Sequence, residues 1–168
     1  RAPEVGELFQ FKNAARGLKA IAATKGQALK DQLIKLVDED TKAFNAIMSA
    51  FALPKGNDTD KAARKQAVQD ATKYAIEVPF KVMELSLESM AVIKAMAEIG
   101  NPNSVTDAGV GALCARTAVL GAFLNVKVNA GGLDDKTFAT AIVQRGEALV
   151  AEANKLEQEI WTVVNGKI

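Results

Sequence analysis

Residues 27–53 read QALKDQLIKLVDEDTKAFNAIMSAFAL. Leu29, Leu33, Leu36, Val37, Phe44, Ile47, Met48 and Phe51 recur at i, i+3/i+4 and i+7. That spacing puts one apolar stripe along a helix. Pro54 stops the pattern, because proline has no N–H and its ring obstructs the preceding turn. The alternation that marks strands is nearly absent from the whole chain, so this stretch sets the class: all-α.

Outward from it, the punctuation divides the rest. Pro3, Gly6 and Gly17 interrupt the first residues, and NAARGLKAIAATKG (13–26) fits a short helix ending at Gly26. KGNDTD (55–60) is a loop, with Asp58 or Thr59 as N-cap of a helix through Val78. Pro79 is expected to kink or restart that helix, and the next one, Phe80–Ile99, ends at Gly100. A helix runs from about Ser104 to Val126. NAGGLDD (129–135) is a turn, and Asp134 or Asp135 opens a last helix to about Val164. The sum is an up-and-down bundle of five or six long helices. Residues 1–26 are set apart as a truncated start, and 27–168 form the helical domain.

Composition narrows the function. With 21 Lys+Arg against 20 Asp+Glu, the net charge is +1, which gives no field for general nucleic-acid or membrane-surface binding. No signal peptide and no apolar run of about 18 residues stand out, so neither export nor a membrane span is expected and the location expected is cytoplasmic. One cysteine, Cys114, excludes an internal disulfide, and it reads as a small core residue. There is no histidine at all. The usual neutral-pH base and the commonest zinc ligand are therefore missing, and no metal site is expected. Acid–base chemistry would fall to a carboxylate or a lysine.

On the 27–53 helix, Asp40 falls near the middle of the apolar stripe, one turn from Leu36 and Phe44, whereas Asp38 and Glu39 fall toward water. A buried carboxylate needs a partner, and burial raises its affinity for a proton. Asp40 is thus either a structural acid, paired with a lysine or capping a helix, or a general acid/base. The second candidate region is GNPNSVTD (100–107), running into a helix of small apolar residues. Asn103 or Ser104 can cap that helix, and Ser104-x-x-Asp107 has the form of a capping box. Free N–H groups at a helix start and a loop of asparagines also suit the edge of a polar heterocycle. Gly109, Gly111, Gly121 and the alanines between them admit a close helix or a flat ligand. Arg116, in that apolar run, calls for a carboxylate partner. Asn125, near the helix end, reads as a C-terminal cap. Lys55, just past Pro54, is exposed: by default a surface loop lysine, and alternatively a group that attracts an anionic ligand tail.

DEDTKAFNAIMSAFALPK (38–55), ATKYAIEVPFKVME (71–84) and AEIGNPNSVTDAGVGALCARTAVLGAFLNVKVNAGGLDD (97–135) resemble the cyclodeaminase domain of formiminotransferase-cyclodeaminase and the related bacterial methenyltetrahydrofolate cyclohydrolases. The likeness spans about 27–165 and rests on D-x-x-A-F, L-P-K and G-N-x-x-S-x-x-D in order. The P-G-G-G-S turn that opens the family domain is not found in 1–26. The resemblance implies an all-helical homodimer or higher homo-oligomer. It implies a tetrahydrofolate derivative as substrate with no tightly bound cofactor, and a formiminotransferase domain or protein as associate. It implies an ammonia-lyase that converts 5-formiminotetrahydrofolate to 5,10-methenyltetrahydrofolate. Asp40 corresponds to the family's acid/base aspartate, and Asn101, Asn103, Ser104, Asp107 and Asn125 to residues that hold the substrate. The alternatives are a methenyltetrahydrofolate cyclohydrolase on the same fold and a non-catalytic helical dimerisation module.

Overall fold

The computed structural model describes the backbone from Val5 onward and side chains from Arg16 onward. The expectations for the missing glycine-rich turn and the first residues fall largely outside this range. Among the described residues there are four long helices and no strand: α1 (Val5–Ala52), α2 (Asp58–Ile99), α3 (Val105–Ala130) and α4 (Lys136–Asn165), with a 3-10 turn at Pro102–Ser104. The all-helical expectation holds, with four helices in place of five or six. Two expected breaks are absent. The first helix passes through Gly26 without ending, and the second passes through Pro79.

The chemistry of Pro79 explains why α2 survives. Its missing N–H orphans the carbonyl four residues back, that of Ala75. The Asn129 side chain, near the end of α3, donates to that carbonyl at 3.1 Å. A side chain replaces the bond that proline removed, and the helix runs on. The other ends follow ordinary capping. Asn57, one residue ahead of the expected caps, accepts from the Asp60 N–H at 2.8 Å, and Asp135 accepts from the Phe138 N–H at 2.9 Å. Gly100 closes α2, and Lys167 donates to the Ala97 and Glu98 carbonyls at 2.7 and 2.6 Å, placing a cation on the negative end of that helix.

Helix α2 packs against α1, α3 and α4, and α3 also packs against α4; among the described residues the backbone of α1 comes close to neither α3 nor α4. The core lies in the α2–α3–α4 triangle, where Ile76, Met83, Met90, Val119, Val126 and Ile160 are fully buried. Gly146 of α4 is required there: a Cβ would collide with the Phe123 ring. Helix α1 docks on α2 through a narrow strip of Ala22, Leu29, Ala43 and Ala50, three of them alanines that let the backbones approach. A hydrogen bond from the Tyr74 hydroxyl to Glu39, whose other oxygen takes Lys42 Nζ at 2.7 Å, flanks that strip. Glu39 is therefore half-buried against α2, not directed at water.

Because α1 rests on one helix only, most of its apolar stripe is uncovered. Val37, Phe44, Met48 and Phe51 are each more than half exposed. Helix α3 likewise exposes Val110, Leu113, Leu124 and Val128, and Cys114 is exposed where a core position was expected. This double-faced composition makes the segment Pro102–Ala130 long and apolar enough to cross a membrane, with a mean hydropathy of 1.5, although no such run was expected. One face of it is core between α2 and α4. Arg116 donates to Asn154 Oδ1 at 2.6 Å, an amide in place of the expected carboxylate.

Asn129→Ala is expected to lower unfolding free energy by about 1–2 kcal/mol in denaturant titration, because the Ala75 carbonyl loses its donor. In a Pro79→Ala background, which restores the backbone N–H, that cost should largely vanish; an equal cost in both backgrounds contradicts the account of Pro79. The bonds from Lys42, first, and Tyr74 hold the Glu39 carboxyl below its ordinary value of 4.5, and Glu39 in turn raises Tyr74 and Lys42. A depressed carboxylate stabilises the fold above its unfolded value and loses that contribution as pH falls through the folded one. Raised Tyr74 and Lys42 stabilise below their unfolded values of 10.0 and 10.5 and lose it as pH climbs beyond. The stability difference between wild type and Glu39→Gln should thus be flat around neutrality and shrink at both extremes. A difference that widens on acidification contradicts this.

Candidate functional site

The gap left between α1 and α3 is a cleft of about 510 Å³ with α2 as its floor. From α1 it is lined by Leu33, Leu36, Val37, Asp40 and Thr41. Pro79 and Val82 of α2 form the base. From α3 come Ala118, Gly121, Ala122 and Asn125. The helical repeat brings them together: Leu33, Leu36, Val37, Asp40 and Thr41 are one and two turns apart, as are Ala118, Gly121, Ala122 and Asn125. The small residues of α3 thus serve two purposes. Gly109 and Gly111 face Val164 and Ile93 across helix contacts, while a Cβ at Gly121 would meet nothing within 4 Å. The flat wall formed by Ala118, Gly121 and Ala122 leaves room for a planar group.

Among the described residues, Asp40 supplies the cleft's only ionisable side chain. The expectation that it is buried is corrected: in the single chain the residue is exposed, at the cleft's edge. The reason is the one-sided docking of α1, which leaves its stripe half uncovered. Among the described residues Asp40 has no salt bridge, and it caps no helix, so neither structural role expected for it applies. Its neighbour Glu39 takes the structural bonds instead. A carboxylate without a partner, over apolar walls, attracts cations and can accept or return a proton.

Asn125 does not end α3, which continues to Ala130; its amide donates to the Gly121 carbonyl at 3.4 Å, and its side chain lines the same cleft as Asp40. The other expected binding residues lie elsewhere. Asn101 caps the 3-10 turn, its Oδ1 accepting from the Asn103 N–H at 3.1 Å. Ser104 precedes α3 without a side-chain capping bond, so the capping box is not formed, and Asp107 sits exposed in the first turn. About 27 Å of helix separates Asp107 from Asn125 at 1.5 Å per residue. One chain therefore unites Asp40 with Asn125 and leaves Asn101, Asn103, Ser104 and Asp107 at the far end of α3. The sequence does not mark Thr41 and Val82 as site residues, and it marks Pro79 only for its effect on the helix. Thr41 carries the spacing signal, one turn from Val37 and Phe44. Pro79 reads only as a helix breaker until its orphaned carbonyl is found to be satisfied.

The sequence profile of the family described as formiminotransferase-cyclodeaminase matches residues 9–148. The methenyltetrahydrofolate cyclohydrolase of Methylorubrum extorquens is 40% identical over 144 residues, covering 86% of this chain and 69% of that protein. The formimidoyltransferase-cyclodeaminase of Gallus gallus is 32% identical over 146 residues, which cover 87% of this chain and 27% of the relative, so the chain spans about a quarter of that longer protein. The crystal structure of formiminotetrahydrofolate cyclodeaminase from Thermotoga maritima superposes with a TM-score of 0.72 at 19% identity, covering 91% of this chain and 86% of that one, and shares the fold. The all-helical architecture, the match over most of the chain and the identity to the cyclohydrolase together establish that this chain belongs to the formiminotransferase-cyclodeaminase family.

Proposed function

We propose that the chain is a methenyltetrahydrofolate cyclohydrolase, with Asp40 as its acid/base group. The observation that carries this reading is the unpaired Asp40 carboxylate set in an otherwise uncharged cleft with a flat small-residue wall. It is supported by the 40% identity to a cyclohydrolase of which the chain covers 69%. The substrate, 5,10-methenyltetrahydrofolate, carries a positive charge spread over N5, the bridging carbon and N10. A lone carboxylate between apolar walls attracts that cation more strongly than it would in water. Asp40 takes a proton from a water molecule as its oxygen bonds to the bridging carbon, giving a tetrahedral centre. The carbon–N5 bond then breaks, N5 is protonated, the oxygen becomes the formyl carbonyl of 10-formyltetrahydrofolate, and one proton is released to solvent. Asn125, beside Asp40, orients the pterin edge or the attacking water.

Ammonia-lyase activity on 5-formiminotetrahydrofolate is the second reading, favoured by the cyclodeaminase relative and the family profile. The two reactions share a tetrahedral carbon joined to N5 and N10 and differ in whether its remaining substituent is hydroxyl or amine. One carboxylate serves either. The cyclohydrolase is preferred because its identity is higher, 40% against 32%, over a similar share of this chain, and because the match covers 69% of that relative against 27% of the cyclodeaminase.

A second copy of the chain completes this reading. The exposed stripes of α1 (Val37, Phe44, Met48, Phe51) and α3 (Val110, Leu113, Leu124, Val128) flank the cleft, and apolar faces of this extent mark an interface. A dimer seated there would roof the cleft and dry Asp40. Asn101, Asn103, Ser104 and Asp107 would join the site only from another copy, since their own chain holds them too far away.

Asp40→Asn should fold normally and lower kcat for methenyltetrahydrofolate hydrolysis by about 10²–10⁴-fold. Wild type should process this substrate with a higher kcat/KM than 5-formiminotetrahydrofolate. Near-wild-type turnover in the variant would remove Asp40 from the chemistry, and the reverse substrate preference would favour the ammonia-lyase. Sedimentation at micromolar concentration should give a dimer that Phe44→Glu/Leu124→Glu dissociates; a fully active monomer would overturn the roofed cleft.

A further inference from the structure

We propose that the basic recess at the α1–α2 hairpin is a second subsite, which holds the carboxylates of the substrate's tail while its ring lies at Asp40. The inference rests on the folate reading of the main cleft. The recess has a volume of about 350 Å³ and is lined by Phe51, Lys55, Lys61, Arg64 and Lys65, with Val68 beneath. Four cations around one recess contrast with a chain whose net charge is +1.

Their engagements leave charge to spare. Lys61 meets Asp58 at 2.9 Å and Lys65 meets Asp134 at 2.7 Å. Both are exposed pairs, of the kind that contributes little and exchanges readily for another anion. Arg64 donates from Nε and Nη2 to the Phe51 carbonyl at 3.2 and 3.1 Å, bonds that leave its charge unneutralised, and lies over the Phe51 ring at 5.6 Å. Lys55 has no ion-pair partner among the described residues. Two carboxylates against four cations leave a recess that attracts an anion.

Position ties the recess to the cleft. Val37 of the cleft and Phe51 of the recess are fourteen residues apart on α1, with Phe44 midway. Lys65 and Val68 stand at the same interval from Pro79 and Val82 on α2. Residues separated by multiples of seven share a helix face. Both cavities therefore open on one side of the α1–α2 pair, about 16–21 Å apart by helical rise. A folate is built to that plan: a pterin at one end, carboxylates at the other, and an aromatic spacer between. The apolar side chains of Phe44 and Met48 lie along the interval.

The test compares hydrolysis of 5,10-methenyltetrahydrofolate with that of 5,10-methenyltetrahydropteroate, which has the ring and spacer without the glutamate. Wild type should show a lower KM for the first. Lys55→Gln/Lys61→Gln, confined to the exposed hairpin, should raise KM for the folate about five- to tenfold, leaving its kcat and the KM for the pteroate unchanged. The folate KM of wild type should also rise with salt, and that of the variant less so. Equal KM values for the two substrates in wild type, or an unaltered folate KM in the variant, would overturn the subsite alone. Wild type that turns over neither these two compounds nor 5-formiminotetrahydrofolate would overturn the folate reading and the subsite with it.

Discussion

The hydrogen bond from the Asn129 amide to the Ala75 carbonyl bears on every feature of this fold. Helix α2 is the one element that meets all three other helices, and Pro79 lies within it. A break at Pro79 would divide the floor on which α1 and α3 both stand. By supplying the donor that proline lacks, α3 keeps its own support intact. Gln69 reinforces the arrangement one end further along: it accepts from the Asp134 N–H at 2.6 Å and donates to the Gly132 carbonyl at 3.2 Å, fixing the α3–α4 turn to α2. The end of α3 is thus anchored at two levels.

The cleft is a consequence of incomplete packing. Three helices close a core around Met83, Val119 and Ile160, and the fourth leans on one of them. A stripe wide enough for two neighbours meets only one. The surplus apolar surface on α1 and α3 and the unpartnered Asp40 are two aspects of that geometry. An acid placed there is costly in a closed dimer unless a cation joins it, and the proposed substrate brings one. Glu39 and Tyr74 secure the turn of α1 from the opposite side, so the structural carboxylate and the candidate reactive one are consecutive residues with separate tasks.

The class of fold was legible because helical periodicity is a property of neighbouring residues. The end of α2 and the start of α4 were legible for the same reason, since Gly100 and Asp135 act on their own turns, whereas α3 runs past the expected end at Val126 to Ala130. The passage of α2 through Pro79 was not, because its donor is 54 residues away in the chain. Gly26 misled as a helix end: an isolated glycine weakens a helix without stopping it. The stripe on 27–53 was read correctly as apolar and incorrectly as buried. Periodicity tells which residues share a face and is silent on how many helices cover it. Asp40 was chosen for sitting on that face, and its company with Asn125 emerged only once α3 was placed beside it. The polar turn at 101–107 was joined to Asp40 and Asn125 through the family resemblance, although the eighteen residues of α3 from Asp107 to Asn125 hold the two at opposite ends of that helix.

The most direct test of the central claim is a structure of the chain with a non-hydrolysable methenyltetrahydrofolate analogue bound. The account predicts the pterin-bearing end between α1 and α3, with the bridging carbon within hydrogen-bonding reach of the Asp40 carboxylate through one water and Asn125 beside it. A ring seated on the Asn101–Asp107 turn with every Asp40 carboxylate of the assembly out of reach would contradict it.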